Sequence, residues 1–240
     1  MNNRHAKALR WLVTAGLAGP ALVVAQDQSA RPADTTSSAG RQAAAAERHV
    51  MQAVEVVHRM EMDAGIRPVL AQAQGVFIVP KYARAAIGIG GAGGAGLLLL
   101  NKGDGQWSDP VFYNTGGVSL GLQLGAQGGM LAFILNNQKA VDAFLKKTSV
   151  SLNAKAGLTV VNWNRMAQGT AGAGDVVAWS DSRGVFGDAA TIEVSGVRYS
   201  QNLNNAYYHR TLSASDILAG KTSNPQANLL TQSLASAARP

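Results

Sequence analysis

Segments in which apolar residues alternate with small or polar ones recur along the chain between residues 75 and 199. The longest are residues 117–127, where valine and leucine alternate with glycine, serine and glutamine, and residues 150–160. Because successive side chains of a β-strand point to opposite faces, an alternation of period two predicts strands with one apolar face. Shorter strand candidates are residues 75–79, 85–90, 96–100, 110–113, 130–135, 176–179 and 190–199.

Two other segments have the period of a helix. The first begins near Ala46 and ends at Gly65 and Pro68. Its apolar stripe consists of Val50, Val54, Val57, Met60 and Met62. We expect this stripe to pack on the domain core rather than enter a membrane, because any surface helix carries one such stripe. The second helix is predicted over residues 137–147, with an asparagine cap and lysines in its last turn.

These elements predict an α+β fold that is mainly antiparallel β, since helices are too few for repeated strand–helix–strand units. We expect a barrel-like or curved antiparallel sheet, with the N-terminal amphipathic helix and one or two peripheral helices around it. The 240 residues include 27 glycines and no cysteine. Glycines in strands mark bulges, corners or close backbone approach. The lack of cysteine excludes disulfides, thiolate zinc sites and cysteine nucleophiles.

The first 25 residues have the three parts of a secretory signal peptide. A basic start with Arg4, Lys7 and Arg10 precedes an apolar stretch over residues 11–25 that ends on a small residue. This stretch is too short to span a bilayer comfortably. We therefore expect cleavage after Ala25, export to the periplasm or the medium, and no transmembrane helix in the mature chain. Cleavage removes three of 21 basic residues and none of 14 acidic ones, so the formal net charge falls from +7 to +4.

The mature chain is predicted to consist of a linker, one domain and a tail. Residues 26–45 are small and polar without apolar periodicity, which is typical of a flexible linker. We place the domain at residues 46–221 and a C-terminal tail at residues 222–240. The mild positive charge suits an anionic surface. No run of basic residues is longer than Lys146 and Lys147, so no nucleic-acid partner is expected.

Two motifs that suggest small-ligand chemistry lack the context they need. Residues 88–93 fit the GxGxxG dinucleotide fingerprint, which requires a helix to open on its last glycine, and residues 97–100 do not predict one. His49, His58 and His209 have no metal-ligand spacing, and the first two are expected on the solvent side of their helix. We therefore expect no cofactor and no metal site.

A serine hydrolase is the remaining catalytic alternative. Residues 117–121 fit the GxSxG nucleophile elbow, and Asp175 or Asp181 followed by His209 gives the hydrolase order of serine, acid and histidine. The elbow requires a sharp turn from strand to helix, whereas the alternating pattern continues through Ser119. We therefore do not expect an enzyme.

Several further motifs occur in a characteristic order. They are Val79-Pro80-Lys81, Arg84, the glycine cluster of residues 88–96, Phe112-Tyr113, the run of residues 117–127, residues 183–186, residues 191–193, residues 204–208 and residues 216–220. Over about residues 51–220, this series resembles the SYLF domain. The resemblance implies a lipid- and actin-binding domain of the kind found in endocytic adaptors, of which stand-alone bacterial members are exported. It also implies an amphipathic N-terminal helix at the bilayer surface.

The function that we expect is an exported, non-enzymatic domain that binds anionic phospholipids or phosphoinositides peripherally. The candidate lipid-binding residues are Lys81, Arg84, Arg48 and Arg59. The first two lie between strand candidates, and the other two lie on the N-terminal helix. The alternative is an envelope structural or protein-interaction module without a lipid ligand, whose partner could be host actin. Such a module would act through a strand edge or the amide-rich face of Gln123 and Gln127.

Overall fold

The structure is a computed structural model that describes residues 37–63, 65–82, 94–115, 117–120, 129–146, 149–181 and 192–239. The helices are α1 (Ser38–Glu61), α2 (Ile66–Gln72), α3 (Gln138–Lys146), α4 (Trp163–Ala167), α5 (Gln201–Tyr208), α6 (Ala214–Leu218) and α7 (Asn228–Ala237). The strands are β1 (Gly75–Tyr82), β2 (Ala95–Gly103), β3 (Gln106–Trp107), β4 (Val111–Asn114), β5 (Gly117–Leu120), β6 (Gly129–Leu135), β7 (Val150–Leu152), β8 (Val160–Asn162), β9 (Val176–Ser180) and β10 (Ile192–Tyr199).

The strands form one sheet in the order β5-β10-β4-β2-β1-β6-β9-β8, with β3 paired to β2 and β7 paired to β10. Every pairing is antiparallel except that between β8 and β9. The sheet is a nearly closed barrel, and the predicted α+β class with a barrel-like antiparallel core is confirmed. The described residues contain six helices besides α1, where one or two were predicted. Helices as short as α4 and α6 have too few turns to show a period.

The centre of the sheet is buried on both faces. In β1, Val76, Phe77, Ile78 and Val79 are all 0% exposed, which explains why this strand is continuously apolar. The helix α1 packs against β1, β2 and β6. The Phe77 ring contacts Tyr113, Phe133 and Phe144. A Cβ at Gly96 would lie 2.3 Å from the Phe77 ring, so this glycine provides the space that the ring occupies.

The N-terminal helix starts earlier than the predicted domain boundary at residue 46. Ser37 caps α1 by accepting a hydrogen bond from the Gly40 amide at 3.1 Å, so residues 38–45 are helical rather than a linker. Alanine makes up much of this stretch and has the highest helix propensity, but small residues leave no apolar period in a sequence. Among the described residues, no helix is long and apolar enough to cross a membrane.

The apolar stripe of α1 packs on the core, as predicted. Val50, Val54, Val57 and Met60 are buried, whereas Met62 is 77% exposed and lies outside the stripe. The helix ends at Glu61, and Gly65 follows with a positive φ of 84°. Pro68 does not end α1. It lies in the first turn of α2, where the missing amide hydrogen of proline costs nothing.

Residues 222–240 were predicted to be a tail, and this prediction is wrong. Residues 228–237 form α7, which packs against α1. Leu230, Leu234 and Ala237 of α7 are 0% exposed. These three residues follow helical spacing, so the sequence did contain the signal for a buried helix.

The prediction of one strand over residues 150–160 is also wrong. The strand β7 ends at Leu152, and a 3-10 turn over Ala154–Ala156 follows it. The Asn153 side chain caps this turn by accepting a hydrogen bond from the Ala156 amide at 2.9 Å. Gly157 then adopts a positive φ of 79°, which breaks the extended conformation. Local capping chemistry therefore overrides the alternation of apolar residues.

Most other elements agree with the sequence. The helix predicted at residues 137–147 is α3, and the Asn137 side chain accepts a hydrogen bond from the Ala140 amide as its cap. Six of the shorter strand candidates coincide with β1, β2, β4, β6, β9 and β10. The candidate at residues 85–90 lies outside the described residues. Of the run 117–127, residues 117–120 form β5, and the remainder lies outside the described residues.

Candidate functional site

The side of α1 that faces away from the core carries two of the predicted lipid-binding residues. Arg48 and Arg59 are both exposed. They are eleven residues apart, which is about three helical turns, so they lie on the same side of the helix. We call this side the outer face of α1 and define it by Arg48, Met51, Arg59 and Met62.

Two methionines accompany the arginines on this face. Met51 is 55% exposed and Met62 is 77% exposed, and both belong to the few large apolar residues exposed in the described ranges. Met62 is the residue that caps the C-terminus of α1, and its backbone is still helical. It is eleven residues from Met51, so the two methionines lie on the same side of the helix. Met51 was not among the predicted site residues, and Met62 was predicted to belong to the core stripe. Their position opposite the buried valines was the signal that could have identified them.

Lys81 lies within β1 and not in a loop between strands, because the strand continues through Pro80 to Tyr82. Its side chain is exposed. The backbone around it is tightly packed, since a Cβ at Gly94 would lie 2.4 Å from the Lys81 carbonyl oxygen. Arg84, the fourth predicted residue, lies outside the described residues.

Lys81 and Arg48 belong to one electrostatic neighbourhood around His49. Burial lowers the pKa of His49 below its ordinary value, and the positive charges of Arg48 and Lys81 lower it further. The helix α1, which carries Arg48 and His49, packs against β1, which carries Lys81. His49 is half-buried rather than on the solvent side, so that prediction is wrong for His49, while His58 is exposed as predicted.

The three described basic residues differ in how their charges are balanced. The Arg59 Nε donates to a Glu55 carboxylate oxygen at 2.9 Å, in an ion pair that is about half exposed on both sides. Within the described ranges, neither Arg48 nor Lys81 has an ion-pair partner. Their charges are therefore available to an external anion, whereas that of Arg59 is partly compensated.

The residues of the hydrolase alternative have structural roles. The Asp175 carboxylate accepts hydrogen bonds from the Thr159 amide and the Asn137 side chain, both at 2.7 Å, which together lower its pKa. His209 is an exposed residue with a φ of 52° that ends α5. Ser119 lies in β5, in register with Glu193 of β10. The described backbone around Ser119 is thus extended and has none of the sharp turn that a nucleophile elbow requires.

Metal chemistry receives no support from the described part of the chain. No group of three or more histidine, cysteine, aspartate or glutamate side chains there is arranged to hold an ion.

Two residues of the family-like motif at 204–208 fasten α5 to the sheet. The Asn204 side chain accepts from the Phe112 amide at 3.0 Å and donates to the Phe112 carbonyl at 2.8 Å, as a neighbouring strand would. The Tyr208 hydroxyl donates to the Pro110 carbonyl at 2.7 Å. Both side chains are buried, so this motif serves the fold and is not an exposed binding surface.

The fold and the outer face of α1 together define an α+β domain with a nearly closed, mostly antiparallel barrel and exposed cations on its N-terminal helix. The family model Ysc84, described as "Las17-binding protein actin regulator", matches residues 116–237, just over half of the chain. The chain therefore belongs to the Ysc84 family, whose domain is the SYLF domain that its motifs resemble.

Relatives of the chain are found in animals and fungi. SH3 domain-containing YSC84-like protein 1 of Homo sapiens is 29% identical over 160 residues, which are 65% of this chain and 46% of the relative. LAS seventeen-binding protein 3 of Saccharomyces cerevisiae is 28% identical over 164 residues, which are 66% of this chain and 35% of the relative. The chain thus spans less than half the length of these relatives, whose names record an SH3 domain in one and Las17 binding in the other.

Proposed function

We propose that this chain is a non-enzymatic domain that binds anionic phospholipids or phosphoinositides peripherally, through the outer face of α1 and the neighbouring Lys81. One observation carries the proposal. Exposed cations and exposed methionines lie together on one side of a helix whose opposite side is buried. Arginine can contact lipid phosphates while methionine enters the boundary between headgroups and acyl chains, which is how interfacial helices bind.

The expected affinity is modest and depends on salt. Each basic residue near an anionic membrane contributes about 1 kcal/mol to binding. Salt screens this attraction, and at 0.1 M the screening length is about 10 Å. Arg48 and Lys81 should contribute most, because no described carboxylate pairs with them. Arg84 remains a proposed member of the site on sequence grounds alone.

We also propose that the chain is exported. The basic start, the short apolar stretch and the small residue at Ala25 support this, since they have the order found in secretory signal peptides. Sequencing the N-terminus of the protein recovered outside the cytoplasm should give Gln26 as the first residue. An intact N-terminus in that fraction would contradict cleavage at this position.

Cosedimentation with vesicles tests the lipid proposal. The full mature chain should pellet with phosphatidylglycerol vesicles at low salt, release from them at high salt, and stay in solution with phosphatidylcholine vesicles. The double variant Arg48→Ser/Lys81→Ser should lose most of the pelleting, because two uncompensated charges are removed.

The matched control removes two exposed charges from other elements of the fold. Lys155 follows β7 and Arg198 lies in β10, and both are exposed. The variant Lys155→Ser/Arg198→Ser should bind like the wild type. Equal loss in both double variants would show only a general charge effect, and equal pelleting with neutral vesicles would contradict anionic lipid binding. A protein captured by the outer face without any lipid response would favour the interaction-module alternative.

A further inference from the structure

His49 is a partly buried histidine with an unsatisfied ring nitrogen. It follows Arg48 on α1, and its side chain is half-buried where the helix packs on the sheet. Its Nδ1 is buried and has no hydrogen-bond partner among the described residues. Buried polar atoms in native proteins are normally paired, so one without a partner calls for an explanation.

Both described charges that shift the pKa of His49 are positive. The described elements that pack against α1 are α2, α5, α7, β1, β2, β6 and the 3-10 turn Pro225–Ala227. Of their titratable groups, Lys81 of β1 is the one that lowers the pKa of His49, together with Arg48 on α1 itself. No described carboxylate pairs with either cation. A bound anion would relieve this repulsion.

We propose that His49 is a third member of the anion site formed with Arg48 and Lys81, and that it takes up a proton when a lipid phosphate binds there. This inference rests on the proposed lipid binding and deepens it, because it makes the affinity depend on pH. The proposed ligand is an anionic phosphate group, whose negatively charged oxygens would contact Arg48 and Lys81.

The direction of the pH effect follows from linkage. In the free protein the pKa of His49 is below its ordinary value, so the ring is neutral near pH 7. A bound phosphate stabilises the imidazolium and raises that pKa. Binding then takes up a proton, so affinity increases as the pH falls from about 7 toward the pKa of the free protein. One added positive charge at an anionic surface corresponds to about a fivefold increase in affinity.

Binding to phosphatidylglycerol vesicles between about pH 5.5 and 8 isolates this effect, since neither the phosphodiester nor ordinary carboxylates titrate in that range. The variants are His49→Gln and His58→Gln, the latter a control at the exposed histidine of the same helix. Wild type and His58→Gln should bind about fivefold more tightly at the acidic end. His49→Gln should lose this increase while still binding at pH 8. Equal pH dependence in wild type and His49→Gln would overturn the inference.

A measurement on the wild type covers the case in which His49→Gln does not fold. NMR titration of the imidazole signals, with and without soluble short-chain phosphatidylglycerol, should show a higher pKa for His49 in the bound protein. An unchanged His49 pKa in protein that has bound lipid would overturn the inference and leave the proposed function intact. A wild type that binds no vesicle at any pH would instead overturn the proposed function itself.

Discussion

The two faces of α1 differ in the properties that decide what a helix surface can do. On the inner face, Ala53, Val57 and Met60 are 0% exposed and pack against the sheet, α5 and α7. On the outer face, Arg48 and Met51 are exposed to solvent. One apolar stripe of a helix can thus pack on the core while other apolar residues, here Met51 and Met62, stay exposed on the opposite side. We therefore expect substitutions on the inner face to change stability and those on the outer face to change binding.

The largest effect expected from a single substitution is at Met60. Met60→Ala should lower the free energy of unfolding by about 2–5 kcal/mol, because it removes a fully buried side chain and leaves a cavity. Met62→Ala, two positions later on the outer face, should change stability by less than about 0.5 kcal/mol but weaken vesicle binding. Denaturant unfolding of both variants measures the contrast. Similar losses of stability in Met60→Ala and Met62→Ala would contradict the distinction between the two faces.

A smaller loss of stability is expected at Asn204, which lies on α5 beside the inner face of α1. Asn204→Ala leaves the Phe112 amide without its side-chain acceptor, whereas the Phe112 carbonyl keeps the hydrogen bond donated by the Ser200 amide. One buried polar group left unsatisfied costs about 1–3 kcal/mol. Thermal unfolding should show this loss, while the folded variant should bind vesicles like the wild type. Reduced binding by fully folded Asn204→Ala would show that the motif does more than hold α5.

The stability of the fold should depend on pH through His49, which is half-buried on α1 between its exposed and buried sides. Its pKa is lowered in the folded protein, so the unfolded chain binds more protons below the ordinary value of about 6.5. This contribution to stability is present above about pH 6.5 and is lost as the pH falls below it. Thermal unfolding temperatures of the wild type should therefore fall between about pH 7 and 5, and those of His49→Gln should fall less. Parallel curves would contradict this account.

Two aspartates also have shifted pKa values, but they do not affect the comparison between wild type and His49→Gln. The lowered pKa of Asp175 keeps it ionised until the pH falls well below the range used, so its contribution is lost only in stronger acid. Asp109 acts in the opposite direction, because burial raises its pKa and the folded state gains its proton first as the pH falls. Neither group can produce the difference expected between wild type and His49→Gln, since both are present in each protein.

The smallest effect is expected at Glu55. Its ion pair with Arg59 is about half exposed, so Glu55→Gln should change stability by less than about 0.5 kcal/mol. The same substitution frees Arg59 and removes a negative charge from this side of α1, and anionic vesicle binding should increase a few-fold. Cosedimentation at low salt measures the change. A decrease in binding would mean that Glu55 holds Arg59 in the orientation that contacts lipid.

The sheet could largely be predicted from the sequence, because its central strands are buried on both faces and form short, continuous apolar runs between turn residues. Prediction failed where polar side chains cap the backbone, as Asn153 does after β7. It also failed at α7, where Leu230 and Leu234 had helical spacing within an otherwise small and polar segment. The exposure of Arg48, Arg59 and Lys81 could be predicted from their residue types, because long charged side chains are rarely buried. The neighbourhood of Arg48 and Lys81 could not, because the two are more than thirty residues apart and only the packing of α1 on β1 joins them.

The central claim is that the outer face of α1 contacts the membrane, and the lack of cysteine allows a direct test. Single variants Met51→Cys and Met62→Cys can each carry an environment-sensitive fluorophore, with Lys155→Cys as the exposed control on another element. On addition of phosphatidylglycerol vesicles, the emission of labels at positions 51 and 62 should shift to the blue as they enter the bilayer boundary, and that at position 155 should not. Pelleting with vesicles without a shift at positions 51 and 62 would contradict the claim.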